Sequence, residues 1–154
     1  MIPSEFFVTS ASALSEVSDL NAFDNALIKM GIGEQNLVAV SSVIPEGAVE
    51  TGIKSIPMGA VTHCVLAQMR TDEGIISAGI AYAFRKDGKG GYVAEGRVRG
   101  GKDLLLHSLK EKMNGIAASR KLELCEIKYI AEELTVPKGE HGACVAALVF
   151  TEYG

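Results

Sequence analysis

Seven consecutive apolar residues, Cys144 to Phe150 (CVAALVF), constrain this chain more than any other stretch. Successive side chains on a strand point to opposite faces. A run with no polar residue leaves neither face for water, so both sides of its sheet must be covered. Helices can cover one side. The other needs a second sheet or a neighbouring subunit. The pattern favours a layered sandwich and an oligomer. With 154 residues, 47% of them hydrophobic, one domain with a substantial core is the expected unit.

The remaining pattern fits that demand. A short strand is predicted from Phe6 to Ser10. Ser18-Asp19 offers an N-terminal cap, and Leu20, Phe23, Leu27 and Met30 recur at helical spacing until Gly31 and Gly33 end the helix. Leu37 to Val40 reads as a second strand. Glu46 to Gly59, with Gly47, Gly52, Pro57 and Gly59, reads as a loop, and a loop of that length is often functional. Ala60 to Arg70, Ile75 to Arg85 and Tyr92 to Arg99 follow as strands separated by turns, an apparent antiparallel meander. Asp103 is positioned to cap a second helix with an apolar stripe of Leu105, Leu109, Met113 and Ile116. Lys110, Lys112 and Arg120 fall off that stripe and should be solvated. Strands from Lys121 to Ala131 and from Gly142 to Glu152 close the chain. About seven strands and two helices make an α+β protein.

Several function classes recede. No apolar run approaches the roughly 18 residues that span a bilayer. The start, MIPSEFFVTSAS, lacks the basic and apolar regions of a signal peptide, so a cytoplasmic protein is expected. Net charge is -4 with Lys and Arg scattered, which argues against a nucleic-acid partner. Cys64, Cys125 and Cys144 stand far apart in apolar segments and read as buried free thiols. His63, His107 and His141 show no ligand spacing, and His63 and Cys64 should point to opposite faces of a strand, so no metal is expected. KDGKGG lacks a Walker pattern, and GRVRGG reads as a strand end.

NLVAVSSVIP, residues 36–45, is less ordinary. A buried strand runs directly into Ser41-Ser42. Local spacing alone is satisfied by a strand ending in a turn before Pro45, and no GxSxG elbow supports a hydrolase nucleophile. A rarer chemistry also fits. If the backbone is strained, the Ser42 hydroxyl attacks the Ser41 carbonyl and converts the amide to an ester. Elimination then cuts the chain and leaves dehydroalanine at residue 42, which hydrolyses to a pyruvoyl group. Such a ketone captures an amine as a Schiff base and serves as an electron sink for loss of CO2.

NLVAVSSVIP resembles the self-cleavage site of the small pyruvoyl-dependent arginine decarboxylases, and the order of elements resembles that family over essentially the whole chain. The resemblance implies a four-layer αββα sandwich with largely antiparallel sheets. It implies scission into residues 1–41 and 42–154, with a covalent pyruvoyl group at Ser42 and no metal. It implies a trimer with active sites between neighbours, and further pairing to a hexamer. The reaction it implies makes agmatine and CO2 from arginine, as a step towards polyamines.

Further positions match the family. Asn36 lies six residues before Ser42, where the resemblance implies an asparagine that assists self-processing by polarising the carbonyl under attack. Its ordinary reading is a loop residue entering a strand. Asp24 shares a helix face with Leu20 and Leu27. The residues alone leave open a solvated boundary residue or a ligand site. The resemblance assigns Asp24 to the substrate guanidinium, which pairs bidentately with a carboxylate, and the leucines to the slot for the substrate methylenes. Glu95 shares a strand face with Val93 and Arg97, and an exposed Glu95–Arg97 pair accounts for it locally. The resemblance makes it the proton donor to the substrate α-carbon, with Gly96 permitting close approach. Two rival readings remain: a pyruvoyl decarboxylase of another amino acid, and an uncleaved oligomeric binding protein without chemistry.

Overall fold

A computed structural model describes residues 1–153. In chain order its elements are β1 (Pro3–Ser15), α1 (Asp19–Met30), β2 (Asn36–Ala39), β3 (Val43–Ile44), β4 (Val49–Glu50), β5 (Val61–Thr71), β6 (Gly74–Phe84), β7 (Gly91–Val98), α2 (Lys102–Arg120), β8 (Lys128–Val136) and β9 (His141–Tyr153). One sheet has five strands in the order β2-β5-β9-β1-β4, the other four in the order β3-β7-β6-β8.

Strand β9 meets the demand of its composition with a second sheet. Cys144, Ala146, Leu148 and Phe150 face the other sheet and pack with Phe6, Val65, Ile76, Ile80 and Tyr82. Ala143, Val145, Ala147 and Val149 face α1 and meet Ala22, Ala26, Leu27 and Met30. On the outer face of the four-stranded sheet, α2 packs Leu105, Leu109 and Met113 against Ala81, Tyr92 and Ala94. The layers are therefore α1, five-stranded sheet, four-stranded sheet, α2: the expected αββα sandwich. Each fully buried Leu, Ile or Phe contributes about 2 kcal/mol, and Phe6 adds edge-on contacts with Tyr82 and Phe150 at ring-centre distances of 6.1 and 6.5 Å.

Local signals set both helix ends of α1. Ser18 Oγ accepts the Asn21 N–H at 3.1 Å, and Gly31, at φ 84°, takes the left-handed C-cap. The inward face differs from expectation. Ala22 and Ala26 let α1 sit close to the sheet, and Leu20 is turned outwards, 62% exposed. In α2 the stripe is as expected, but the N-cap is Gly101, without a side-chain cap, and Asp103 lies within the first turn.

The meander is corrected. β6 and β7 pair antiparallel, but β5 belongs to the other sheet, so the turn at Asp72-Glu73 carries the chain across the sandwich. β5 instead makes an eight-residue ladder with β9, and β6 a nine-residue ladder with β8. β8 also begins later than expected. Leu122, Leu124 and Ile127 leave the sheet to pack around α2. β1 runs well past Ser10, because Ala11 and Ala13 continue its inward face beneath α1. The predicted 46–59 loop contains β4, which pairs with Glu5 and Phe6 of β1.

Candidate active site

The Ser41–Ser42 peptide joins the two sheets. The Val40 N–H bonds the Cys64 carbonyl in one sheet, and the Ser42 carbonyl accepts the Val93 N–H in the other, both at 2.9 Å. The two sides of the peptide are thus anchored in different layers. Left-handed strain is not the device here, since Lys121 is the single non-glycine residue of positive φ among the described residues.

What brings Ser42 to its place is β3, whose Val43 and Ile44 pair with Tyr92 and Gly91 of β7. Gly90 makes the approach possible. Its φ is +97°, and a Cβ there would stand 2.6 Å from the Ile44 carbonyl oxygen. Beyond that short pairing, among the described residues, β7 from Ala94 to Val98 has no strand on its β3 side, and β5 beyond Cys64 has none on its β2 side. The sandwich is open along this edge.

Two cavities occupy the opening. One, about 580 Å³, is lined by Ser41, Ser42, Val93 to Glu95 of β7, and Lys112, Gly115, Ile116, Ser119 and Arg120 of α2. The other, about 380 Å³, is lined by Leu66 to Gln68 of β5, Glu95 to Arg97, and again Lys112. Glu95 and Lys112 belong to both. These volumes lie in the range of small-molecule sites.

Ser42 and Glu95, far apart in sequence, therefore share a cavity. The Glu95 side chain is exposed and, contrary to its local reading, forms no ion pair with Arg97 among the described residues. Gly96 also lets α2 lie close: a Cβ there would meet Leu105 and Leu109 at 3.1 Å. The helix periodicity of α2 gave Lys112 no role beyond solvation, yet its Nζ donates to the Glu95 carbonyl at 2.8 Å. Arg120, also expected to be merely solvated, stacks its guanidinium 4.6 Å from the Tyr92 ring centre.

The other expected site residues lie elsewhere in the protomer. Asp24 is exposed on the outward face of α1, between Leu20 and the 55% exposed Ile28 at i−4 and i+4, with Leu27 tucked beneath at 8%. Among the described residues Asp24 has no ion-pair partner. Asn36 opens β2, and its amide nitrogen donates to the Gly59 carbonyl at 2.8 Å. Five residue steps of extended chain, about 16 Å, separate it from Ser41. None of these residues lines the two cavities.

His63 and Cys64 point to opposite faces, and the His63 Nδ1 shares a 2.6 Å hydrogen bond with the Tyr153 hydroxyl. All three cysteines are free. Cys64 and Cys144 are buried, which pushes their thiols up to about 11 and about 12. Cys125 is exposed, against expectation, because its segment precedes β8 instead of entering the sheet.

Residues 5–154 match the family described as pyruvoyl-dependent arginine decarboxylase. The chain belongs to this family. The pyruvoyl-dependent arginine decarboxylase of Pyrococcus abyssi is 37% identical over 147 residues, covering 93% of this chain and 92% of that one. That of Thermococcus kodakarensis is 34% identical over 155 residues, covering 98% and 97%. Among solved structures, a pyruvoyl-dependent histidine decarboxylase aligns with TM-score 0.52 and 11% identity, over 64% of this chain and 54% of that one. That likeness speaks to the fold alone. Among the described residues, no helix is long and apolar enough to cross a membrane.

Proposed function

We propose that this protein decarboxylates arginine to agmatine and CO2, using a pyruvoyl group that it forms from Ser42 by cutting itself between Ser41 and Ser42. The observation that carries the reading is the Ser41–Ser42 peptide stretched between two sheets, with Ser42 and Glu95 lining one cavity.

Self-cleavage uses the chain's own atoms. The Ser42 Oγ attacks the Ser41 carbonyl carbon, and an ester replaces the amide. Loss of the Cα proton of residue 42 with scission of its Cβ–O bond leaves a carboxylate at Ser41 and dehydroalanine at residue 42, and water then hydrolyses the imine tautomer to the ketone and releases the nitrogen as ammonia. The residues fit the product. Ser42 is half-buried at a cavity wall, and its carbonyl is anchored by Val93 independently of the bond to Ser41. A pyruvoyl group there supplies a ketone for covalent capture of the substrate amine and an electron sink for the departing carboxylate.

Glu95 delivers a proton to the substrate α-carbon once CO2 has left. Asp24 pairs with the guanidinium through two charge-assisted hydrogen bonds. Leu20 forms a wall and Leu27 the floor of the slot for the methylenes. Asn36 supports self-processing. Because Asp24 and Asn36 line neither cavity of their own protomer, they act on a neighbour's Ser42, and the working unit is a trimer or a hexamer of trimers in pairs. Exposed apolar side chains support such contacts: Val38, Val40 and Val43 near the serine pair, Val61 beside Asn36, and Leu20 and Ile28 beside Asp24. Three free thiols support a cytoplasmic setting.

Intact mass spectrometry of the purified protein tests the first step. The 16.3 kDa chain should appear as fragments of about 4 and 12 kDa, in proportion to their lengths. A single uncut species, stable on incubation, would sink the pyruvoyl reading.

A further inference from the structure

The charge around Ser42 points to a specificity element outside the residues discussed so far. The charged side chains lining its cavity are Glu95, Lys112 and Arg120. Those lining the adjoining cavity are Glu95, Arg97 and Lys112. In the uncut chain each carries one more cation than anion; after scission the new Ser41 carboxylate offsets the excess in the first, and the adjoining cavity stays positive. A positive pocket is a poor receptor for a guanidinium, yet a good one for the other end of the same molecule. The amine that must reach residue 42 sits on the carbon that bears the α-carboxylate, so the carboxylate necessarily enters this positive region.

We propose that Lys112 binds the α-carboxylate of the substrate. The proposal rests on the arginine reading and deepens it. Lys112 is the cation common to both cavities. Its ammonium has three N–H donors. One is spent on the Glu95 backbone carbonyl, at 2.8 Å, which steadies the long side chain and fixes its head beside the β7 wall. Two remain. Among the described residues no carboxylate neutralises it, and the bond to the Glu95 main chain leaves the Glu95 carboxyl unengaged. Arg120 is less suited to the contact. It lies over the Tyr92 ring and donates to the Ile116 carbonyl at 3.4 Å, so it adds positive potential from a fixed place. Substrate polarity follows: carboxylate towards α2, guanidinium towards the acidic Asp24. Loss of CO2 removes the group that Lys112 holds, so the product binds less tightly than the substrate.

Lys112→Met provides the test, with Lys112→Arg beside it. The side chain is exposed, so neither variant disturbs the core. In Lys112→Met the Michaelis constant for arginine should rise about tenfold or more, the loss of one charge-assisted hydrogen bond. Agmatine, which lacks the carboxylate, should bind within about twofold of the parent by calorimetry, and intact mass should show complete self-cleavage. Lys112→Arg should recover most of the arginine affinity. An unchanged Michaelis constant overturns the proposal. So does an equal weakening of agmatine and arginine, which marks general damage to the cavity, and so does a block in cleavage, which assigns Lys112 to processing. Absence of arginine turnover in the processed parent protein is a separate result: it removes the arginine reading and this inference with it.

Discussion

Asp24 is exposed on α1 with apolar neighbours on either side, and its removal is informative because, among the described residues, it has no ion-pair partner in its own protomer. Asp24→Asn keeps the shape and one acceptor but loses the charge. The variant should cleave itself completely, while kcat/KM for arginine falls about a hundredfold, the scale of a broken charge pair between partners. Unaffected arginine turnover would release Asp24 from the guanidinium and reopen the choice of substrate. Glu95→Gln separates proton delivery from binding. Its kcat should fall a hundredfold or more, with cleavage complete and agmatine binding retained; normal turnover would remove Glu95 from the chemistry. The cysteines offer a simpler check. With Cys64 and Cys144 buried and their thiols pushed up to about 11 and about 12, native protein at neutral pH should be alkylated by iodoacetamide at Cys125 alone, as peptide mapping would show.

Short elements do the positioning. β3 is two residues long, yet it sets where Ser42 lies, and it depends on the space left by Gly90. Gly90→Ala adds a Cβ against the Ile44 carbonyl at a φ that alanine rarely adopts. The variant should lose about 1–3 kcal/mol of stability, seen as a lower Tm, and its self-cleavage should slow as β3 is pushed from β7. Normal cleavage kinetics with a lowered Tm would show that β3 does not govern the scissile peptide. What was legible in the sequence follows the same division between local and distant. The ends of α1 were written in Ser18 and Gly31, and the double burial of β9 in its composition. The partner of β5 was not legible, since Thr71 to Gly74 reads equally well as a hairpin turn and as a crossing, and only long-range ladders decide. Leu20 was misplaced because alanine counts as weakly apolar in a stripe, whereas Ala22 and Ala26 set the approach of helix to sheet. Asn36, Ser41 and Ser42 became candidates through the family resemblance of NLVAVSSVIP. The place of Lys112 beside Ser42 was not legible, since it depends on how α2 lies over β7.

At the scale of the molecule, the proposed cut divides an interlocked object. β1 lies between β9 and β4, and β2 lies against β5. All three of those partners belong to residues 42–154, so no strand of the first 41 residues pairs with another strand of that segment. Twelve residue pairs tie β1 to β9, and α1 roofs the same sheet. The fragments should therefore travel together in native mass spectrometry or gel filtration and part only in denaturant. Separation under native conditions would contradict the packing described. The crossing of the serine peptide from one sheet to the other has a thermodynamic consequence as well. While the chain is whole, the folding of each protomer is a unimolecular event, and only the assembly of protomers depends on concentration. Once cut, each protomer is itself a two-chain complex subject to mass action, and the tether that kept β1 at high effective concentration beside its partners is gone. Recovery of protomer secondary structure from urea should slow on dilution for the mature protein, while a Ser42→Ala protomer regains it at a rate indifferent to concentration. Maturation would then be an irreversible commitment: the architecture is assembled under the rules of one polymer and kept under the rules of two.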